Sequence, residues 1–270
     1  MRCSGMDGDR YTHGHHESVL RSHTWRTAEN SAEYLLPHLR AGMDLLDVGC
    51  GPGTITVDLG ERVAPGRTIG IDASAEVVEL AAAAAPPDSA VSFRVADVDG
   101  LPFEDDTFDV VHAHQVLQHV ADPVAALREM RRVCRPGGIV AVRDADYGAF
   151  TWAPPDPRLD RWLARYRSLA RRNGGEPDAG RAVLGWLHAA GFDDVEPGAS
   201  VWCFALPEER AWWGGLWADR VTSSTLGDQL VETGMATTQD LQDTAAAFRR
   251  WADCRDGWFS VVHGEAIARA

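Results

Sequence analysis

The sequence predicts an α/β fold, a parallel sheet with helices on both faces, and three observations point to it. From Asp44 onward, short apolar runs rich in β-branched residues alternate with segments of helical periodicity. The first of these runs enters a glycine-rich turn, LLDVGCGPGT, from Leu45 to Thr54. A late strand-like run, WFSVVHGEAIARA, extends to Ala270. A chain of 270 residues with 45% hydrophobic content can bury a full core.

DLLDVG reads as the first strand and TITVDLGERVAP as a helix broken near Pro65. RTIGID is the second strand, and Ser74 is placed to cap the helix AEVVELAAAAA, which Pro86 and Pro87 end. VSFRVAD and FDVVHAH (Phe108 to His114) are the third and fourth strands. In the following helix Val124, Leu127, Met130 and Cys134 recur every three or four residues on a buried face, and RPGG stops it. IVAVRD, Ile139 to Asp144, is a fifth strand of doubly buried type. Beyond the Pro-rich turn WAPPDP the spacing predicts helices over Leu159 to Arg172 and in RAVLGWLHAAGF, then a strand near Ser200 to Leu206. Residues 207–254 read as a helical lid insertion between the last two strands. Residues 1–41, with AENSAEYLLPHL as a helix, read as an N-terminal helical cap; residues 42–206 together with 255–270 form the core.

Composition excludes several classes. The net charge is −14, every basic residue is arginine, and a polyanionic partner such as nucleic acid is disfavoured. Five scattered cysteines contain no CxxC pair, so neither a disulfide framework nor a structural zinc site is expected. No window is apolar enough to span a membrane, and the N-terminus has no signal-peptide core. A cytoplasmic protein acting on a small neutral or cationic ligand is expected.

The glycine turn sharpens this. A dinucleotide site wants G-x-G-x-x-G, so that backbone can approach a pyrophosphate. Here Gly49, Gly51 and Gly53 give G-x-G-x-G, and Asp47 would repel a pyrophosphate at the turn. An adenosine ligand that is cationic and phosphate-free removes the conflict, and S-adenosylmethionine is such a ligand. Asp72, at the end of the second strand with Ala73 and Ser74 beside it, is placed to accept both ribose hydroxyls. Asp97 can accept from the adenine amino group while Val98 backs the ring. Cys50 is assigned its place inside the turn by its small size.

DVGCGPGT, GIDAS, VADVDGLPFEDDTFDVV, HQVLQHV and LREMRRVCRPGGIVAV, five blocks in register across residues 42–150, resemble class I S-adenosylmethionine-dependent methyltransferases of the quinone-biosynthesis-like, small-molecule type. The resemblance implies a Rossmann-like seven-stranded sheet with an antiparallel last strand, and a small-molecule acceptor such as an apolar or aromatic secondary metabolite. It also implies that His114 and Gln115 lie beside the methionine part of the cofactor, and that Tyr11, His15 and Arg26 lie on a cap closing over it. Arg26 could pair with the cofactor carboxylate.

Other residues keep two readings. His112, His114 and His119 in HAHQVLQH lack the carboxylate or cysteine that would complete a zinc set, so no metal is expected. His119 is a packed core histidine or a wall of the cofactor site. As proton acceptors, His119, His15 and Asp144 are candidates by position. Trp213 and Trp217 share a helix face and, with Tyr11 and Trp152, are either core or the wall of an acceptor pocket. Two alternatives stand beside the methyltransferase: a nicotinamide-dependent oxidoreductase, and a non-catalytic scaffold on a cofactor fold. A homo-oligomer is left open.

Overall fold

Apolar runs that alternate with amphipathic helices are buried on both faces, and so pair in parallel. In the computed structural model, which describes residues 23–87 and 89–270, these runs are Leu45–Val48 (β1), Thr68–Asp72 (β2), Val91–Val95 (β3), Phe108–His114 (β4) and Cys134–Ala145 (β5). They are followed by Thr151–Ala153 (β6), Val195–Phe204 (β7) and Trp258–Arg269 (β8). The sheet order is β3-β2-β1-β4-β5-β8, with β7 on the far side of β8 and the short β6 pairing with the start of β8. Only β8 runs against the others. This is the expected seven-stranded sheet with its antiparallel last strand, plus the three-residue β6.

The helices are Ala28–Ser31 (α1), Thr54–Val63 (α2), Ala75–Ala84 (α3), Pro123–Val133 (α4), Pro157–Arg172 (α5), Val183–Ala189 (α6), Pro207–Ser223 (α7), Thr225–Glu232 (α8) and Thr238–Asp253 (α9). The last three fill the sequence between β7 and β8. Ser74 caps α3 through Val77 N, as expected. Three spans differ from expectation. The N-terminal helix shrinks to α1: Thr27 and Asn30 cap it reciprocally, but Ala32 leaves helical geometry at φ −139°, and Pro37, which cannot donate a helical bond, sits in a 3-10 turn. The strand β5 begins at Cys134, so RPGG is part of an irregular strand start opposite a register shift in β4. The edge strand β7 begins at Val195; its exposed, polar first half hides it from an apolar-run criterion.

Alternation of side chains divides the sheet into two faces. Leu46 and Val48 pack with Val111, Val140, Leu127 and Leu187 beneath α4 and α6. On the opposite face Leu45, Val110 and Ile139 pack with Ala28, Leu35 and Leu59. On that second face the parallel strands change character toward their C-terminal ends, where Asp47, His112, His114 and Arg143 are all buried. The register sets Asp47 beside His112, His114 beside Arg143, and Arg143 beside Glu265. A third cluster joins β7 and β8 to α5, α7 and α9 through Trp162, Trp217, Phe248 and Phe259. Among the described residues no helix is long and apolar enough to cross a membrane.

Candidate active site

The turn after β1 is shaped by its glycines. Gly49, Gly51 and Gly53 have φ of 65°, 55° and 83°, the left-handed region that side chains with a Cβ avoid. A Cβ on Gly49 would lie 2.4 Å from Val116 Cγ2, and one on Gly53 2.7 Å from the Phe93 ring, so both positions also demand close packing. Cys50 donates its backbone N–H to Ile71 O at 2.8 Å and is itself buried, which pushes its thiol well above the usual range. The small side chain assigned there from sequence fits that enclosure.

Carboxylates surround the turn. Asp72 Oδ2 accepts from Gly51 N at 3.1 Å and Oδ1 from Ser74 N at 3.0 Å, so one side chain fixes the ends of both loops. Each oxygen retains a lone pair for a ligand. Asp97 accepts from Asp99 N at 3.0 Å, and Val98 is buried beside it. Asp47 differs from expectation. It does not point into the turn: Thr56 donates to one oxygen at 2.5 Å and His112 Nδ1 to the other at 2.7 Å, and the residue is 2% exposed. It lies under the turn as a buried charge with one hydrogen bond on each oxygen.

These groups line one end of a cavity of about 590 Å³. Asp47, Asp72, Asp97 and Asp99 are its carboxylates among the described residues, and all lie at this end. Ala73 and Ser74 line it too. An acidic cradle without lysine suits a cationic adenosine ligand and opposes a pyrophosphate. Arg26 Nη2 donates to Gln115 Oε1 at 2.6 Å, and Gln115 Nε2 meets His263 Nε2 at 2.9 Å. Gln115 has φ +56°, a conformation that costs a non-glycine residue of order 1 kcal/mol and persists where bonds overdetermine it. Its N–H, donated to Arg143 O at 2.7 Å, is a third such bond.

The far end of the cavity is aromatic. Trp213 stacks on Phe204 with centroids 4.3 Å apart, and Trp217 meets Trp162 edge-on at 4.5 Å. Both tryptophans are core and cavity wall at once, 5% and 1% exposed. Trp152 does not line the cavity: it stacks on Phe259 at 5.5 Å on the other side of that ring cluster. Proximity to the end of β5 in sequence does not fix the face on which a side chain falls. Tyr11 and His15 lie outside the described residues.

His119 lines the cavity, but its Nε2 accepts from Gln118 Nε2 at 2.9 Å, and burial with the nearby Arg26 charge lowers it to about 3. The lone pair a base would use is already engaged. Asp144 is fully buried off the cavity wall, accepts from Gln118 N at 3.0 Å, and is raised by burial to about 7. His114 is 5% exposed, lines the cavity, and neither ring nitrogen has a hydrogen-bond partner. Among the described residues no group of three His, Cys, Asp or Glu side chains is arranged to hold a metal ion.

Sequence reasoning missed Trp25, Trp202 and Arg220 on the cavity wall, and His263 behind Gln115. His263 had a signal: a histidine within a strand of buried apolar residues needs a polar partner. Trp202 had none, since its role follows from Trp25 packing edge-on to it at 5.2 Å and from its Nε1 donating to Asn30 O at 2.6 Å.

A parallel α/β sheet with one reversed strand and an acidic cleft at the strand ends is the arrangement expected of a class I S-adenosylmethionine-dependent methyltransferase. Residues 46–142 match the methyltransferase domain family. An uncharacterized methyltransferase of Schizosaccharomyces pombe is 36% identical over 95% of both chains, and a probable methyltransferase of Aspergillus luteorubrus is 34% identical over 99% of both. Among solved structures the YcgJ protein of Bacillus subtilis aligns over 89% of this chain and 98% of its own, with a TM-score of 0.59 at 21% identity, a likeness of fold. The chain belongs to the methyltransferase domain family and is an S-adenosylmethionine-dependent methyltransferase.

Proposed function

We propose that the protein methylates a flat, largely apolar small molecule bound in the aromatic half of the cavity. The observation that carries this reading is the continuity of one cavity, of about 590 Å³, from the glycine turn to Trp213 and Trp217. That volume lies within the usual range for sites that enclose small ligands. When bound, S-adenosylmethionine supplies a methyl group activated by its sulfonium charge. Asp72 takes the two ribose hydroxyls, Asp97 the adenine amino group, and Val98 backs the ring. Gly49, Cys50, Gly51 and Gly53 shape the turn so that backbone can approach the ligand. Arg26 and Gln115 face its carboxylate end, and Asp47 supports the cationic end from beneath.

Ring faces of Trp212, Trp213 and Trp217 exclude water and orient a planar acceptor. Alignment of the two reactants supplies much of the rate in such a displacement. A nicotinamide reading is opposed by the four carboxylates that line the cavity. Isothermal titration with S-adenosylmethionine tests the assignment. Saturable one-to-one binding is expected, and no heat at millimolar ligand refutes it.

A further inference from the structure

His114 is the one residue of the cavity wall whose ring is buried with both nitrogens unpartnered among the described residues. Burying an imidazole with its N–H and its lone pair both unmet is costly, and a ligand that meets them removes the cost. The ring is held in place: Trp202 lies 5.7 Å away and His263 6.1 Å away, centroid to centroid. It stands at the end of β4, between the cradle after β1 and the Trp202 side of the cavity.

The charges around it select the ligand. Arg26 from the N-terminal segment, Arg143 from β5, His263 from β8 and His112 from β4 all face His114, and Glu265 pairs with Arg143 at 3.3 Å. Burial, Arg26 and Arg143 hold the ring unprotonated well below the ordinary histidine range. An acceptor bearing an ammonium group would meet these guanidinium groups, whereas Asp47, the cavity carboxylate on the neighbouring strand, already accepts from His112 and Thr56. A hydroxyl, which gives one hydrogen bond to a neutral ring nitrogen, meets no such opposition.

We propose that the acceptor's nucleophile is a hydroxyl group and that His114 is the catalytic residue that receives its proton. This rests on the methyl-transfer reading above. The hydroxyl oxygen forms its bond to the methyl carbon with a lone pair, the sulfur–carbon bond breaks with its pair left on sulfur, and the O–H proton passes to the free nitrogen of His114. The resulting imidazolium returns its proton to water when product leaves. A weak base suffices, because an oxygen becomes strongly acidic as it is alkylated. Being neutral beforehand keeps a second positive charge away from the sulfonium.

The test uses full-length protein saturated with S-adenosylhomocysteine and three probes: 2-naphthol, 2-methoxynaphthalene and the cation of 2-naphthylmethylamine. Quenching of tryptophan fluorescence reads affinity. The expected result is that 2-naphthol binds about fivefold tighter than its methyl ether, the worth of one neutral hydrogen bond, and that the cation binds weakest. His114→Phe should abolish the preference and His114→Asn, which retains an acceptor oxygen, should keep part of it. On 15N-histidine-labelled protein, 2-naphthol but not the ether should shift the His114 ring signals, a readout that needs no variant to fold. Equal affinity for naphthol and ether, a preference that survives His114→Phe, or no binding of either at millimolar concentration overturns the proposal. Failure of wild-type protein to bind S-adenosylhomocysteine overturns the cofactor site instead.

Discussion

Asp72 carries two loads, and replacing it separates them. Its carboxylate ties Gly51 N at 3.1 Å and Ser74 N at 3.0 Å, and it faces the cavity where the ribose is assigned. In Asp72→Ala both amides turn to water within a partly exposed cleft, so unliganded stability should fall by only about 1 kcal/mol. Cofactor binding loses more. Two hydroxyls that donated to a charged oxygen lose their partner, and even one such bond is worth at least about 1.5 kcal/mol, or about twelvefold in Kd. Titration of S-adenosylhomocysteine into wild type and Asp72→Ala measures this. Loosening of the turn could lower affinity by itself, so a second cycle compares adenosine with 2′-deoxyadenosine in both proteins. The deoxy penalty should be at least about fivefold in wild type and vanish in Asp72→Ala. An unchanged penalty in the variant would refute the ribose contact and leave Asp72 as a loop tie alone.

Two further outcomes are expected. Free aspartate titrates near 3.8 and buried Asp144 near 7, so between these values the native state holds a proton that the unfolded chain has lost, and stability falls as pH rises. Asp144→Asn removes that fall: its melting temperature should gain on wild type from about pH 4 to about pH 7, and a constant difference would contradict the burial account. Trp213→Ala should weaken 2-naphthol binding, whereas Trp152→Ala should lower the melting temperature and leave naphthol affinity within about twofold; equal loss of affinity in both would contradict the placement of Trp152 outside the cavity.

Much of the sheet was legible because its central strands are apolar on both faces, a pattern that leaves little freedom of assignment. The strand β7 was harder. As an edge strand with Glu196, Pro197 and Gly198 near its start, it lacks the hydrophobic signal that burial imposes on β1 or β4. The N-terminal helix is shorter than AENSAEYLLPHL suggests because Ala32 leaves helical geometry and Pro37 cannot donate a helical bond. At the site, Asp72, Asp97 and the glycines could be read from their spacing along successive strand ends. The orientation of Asp47 could not, since His112 meets it from β4, across the sheet and far away in sequence. The engagement of His119 was hidden for the same reason: the Gln118 amide that occupies its lone pair is fixed by Ala145 N, in a different strand.

The helices α7 to α9 lie between β7 and β8, two strands that pair residue for residue from Val195 opposite Ala268 to Phe204 opposite Phe259. The segment that brings Trp212, Trp213 and Trp217 to the cavity wall is thus the connection of a hairpin. Closing a flexible loop costs entropy that grows only logarithmically, about 0.6 kcal/mol for each doubling of length. The cassette from Pro207 to Asp253 is not such a loop, because Trp213, Trp217 and Trp251 are buried against Phe204, Trp162 and Phe259, so a cassette of another length would have to restore that packing. A change of cavity lining at Trp213 or Trp217 is therefore also a change of core, which ties the shape of this chamber to the stability of the fold.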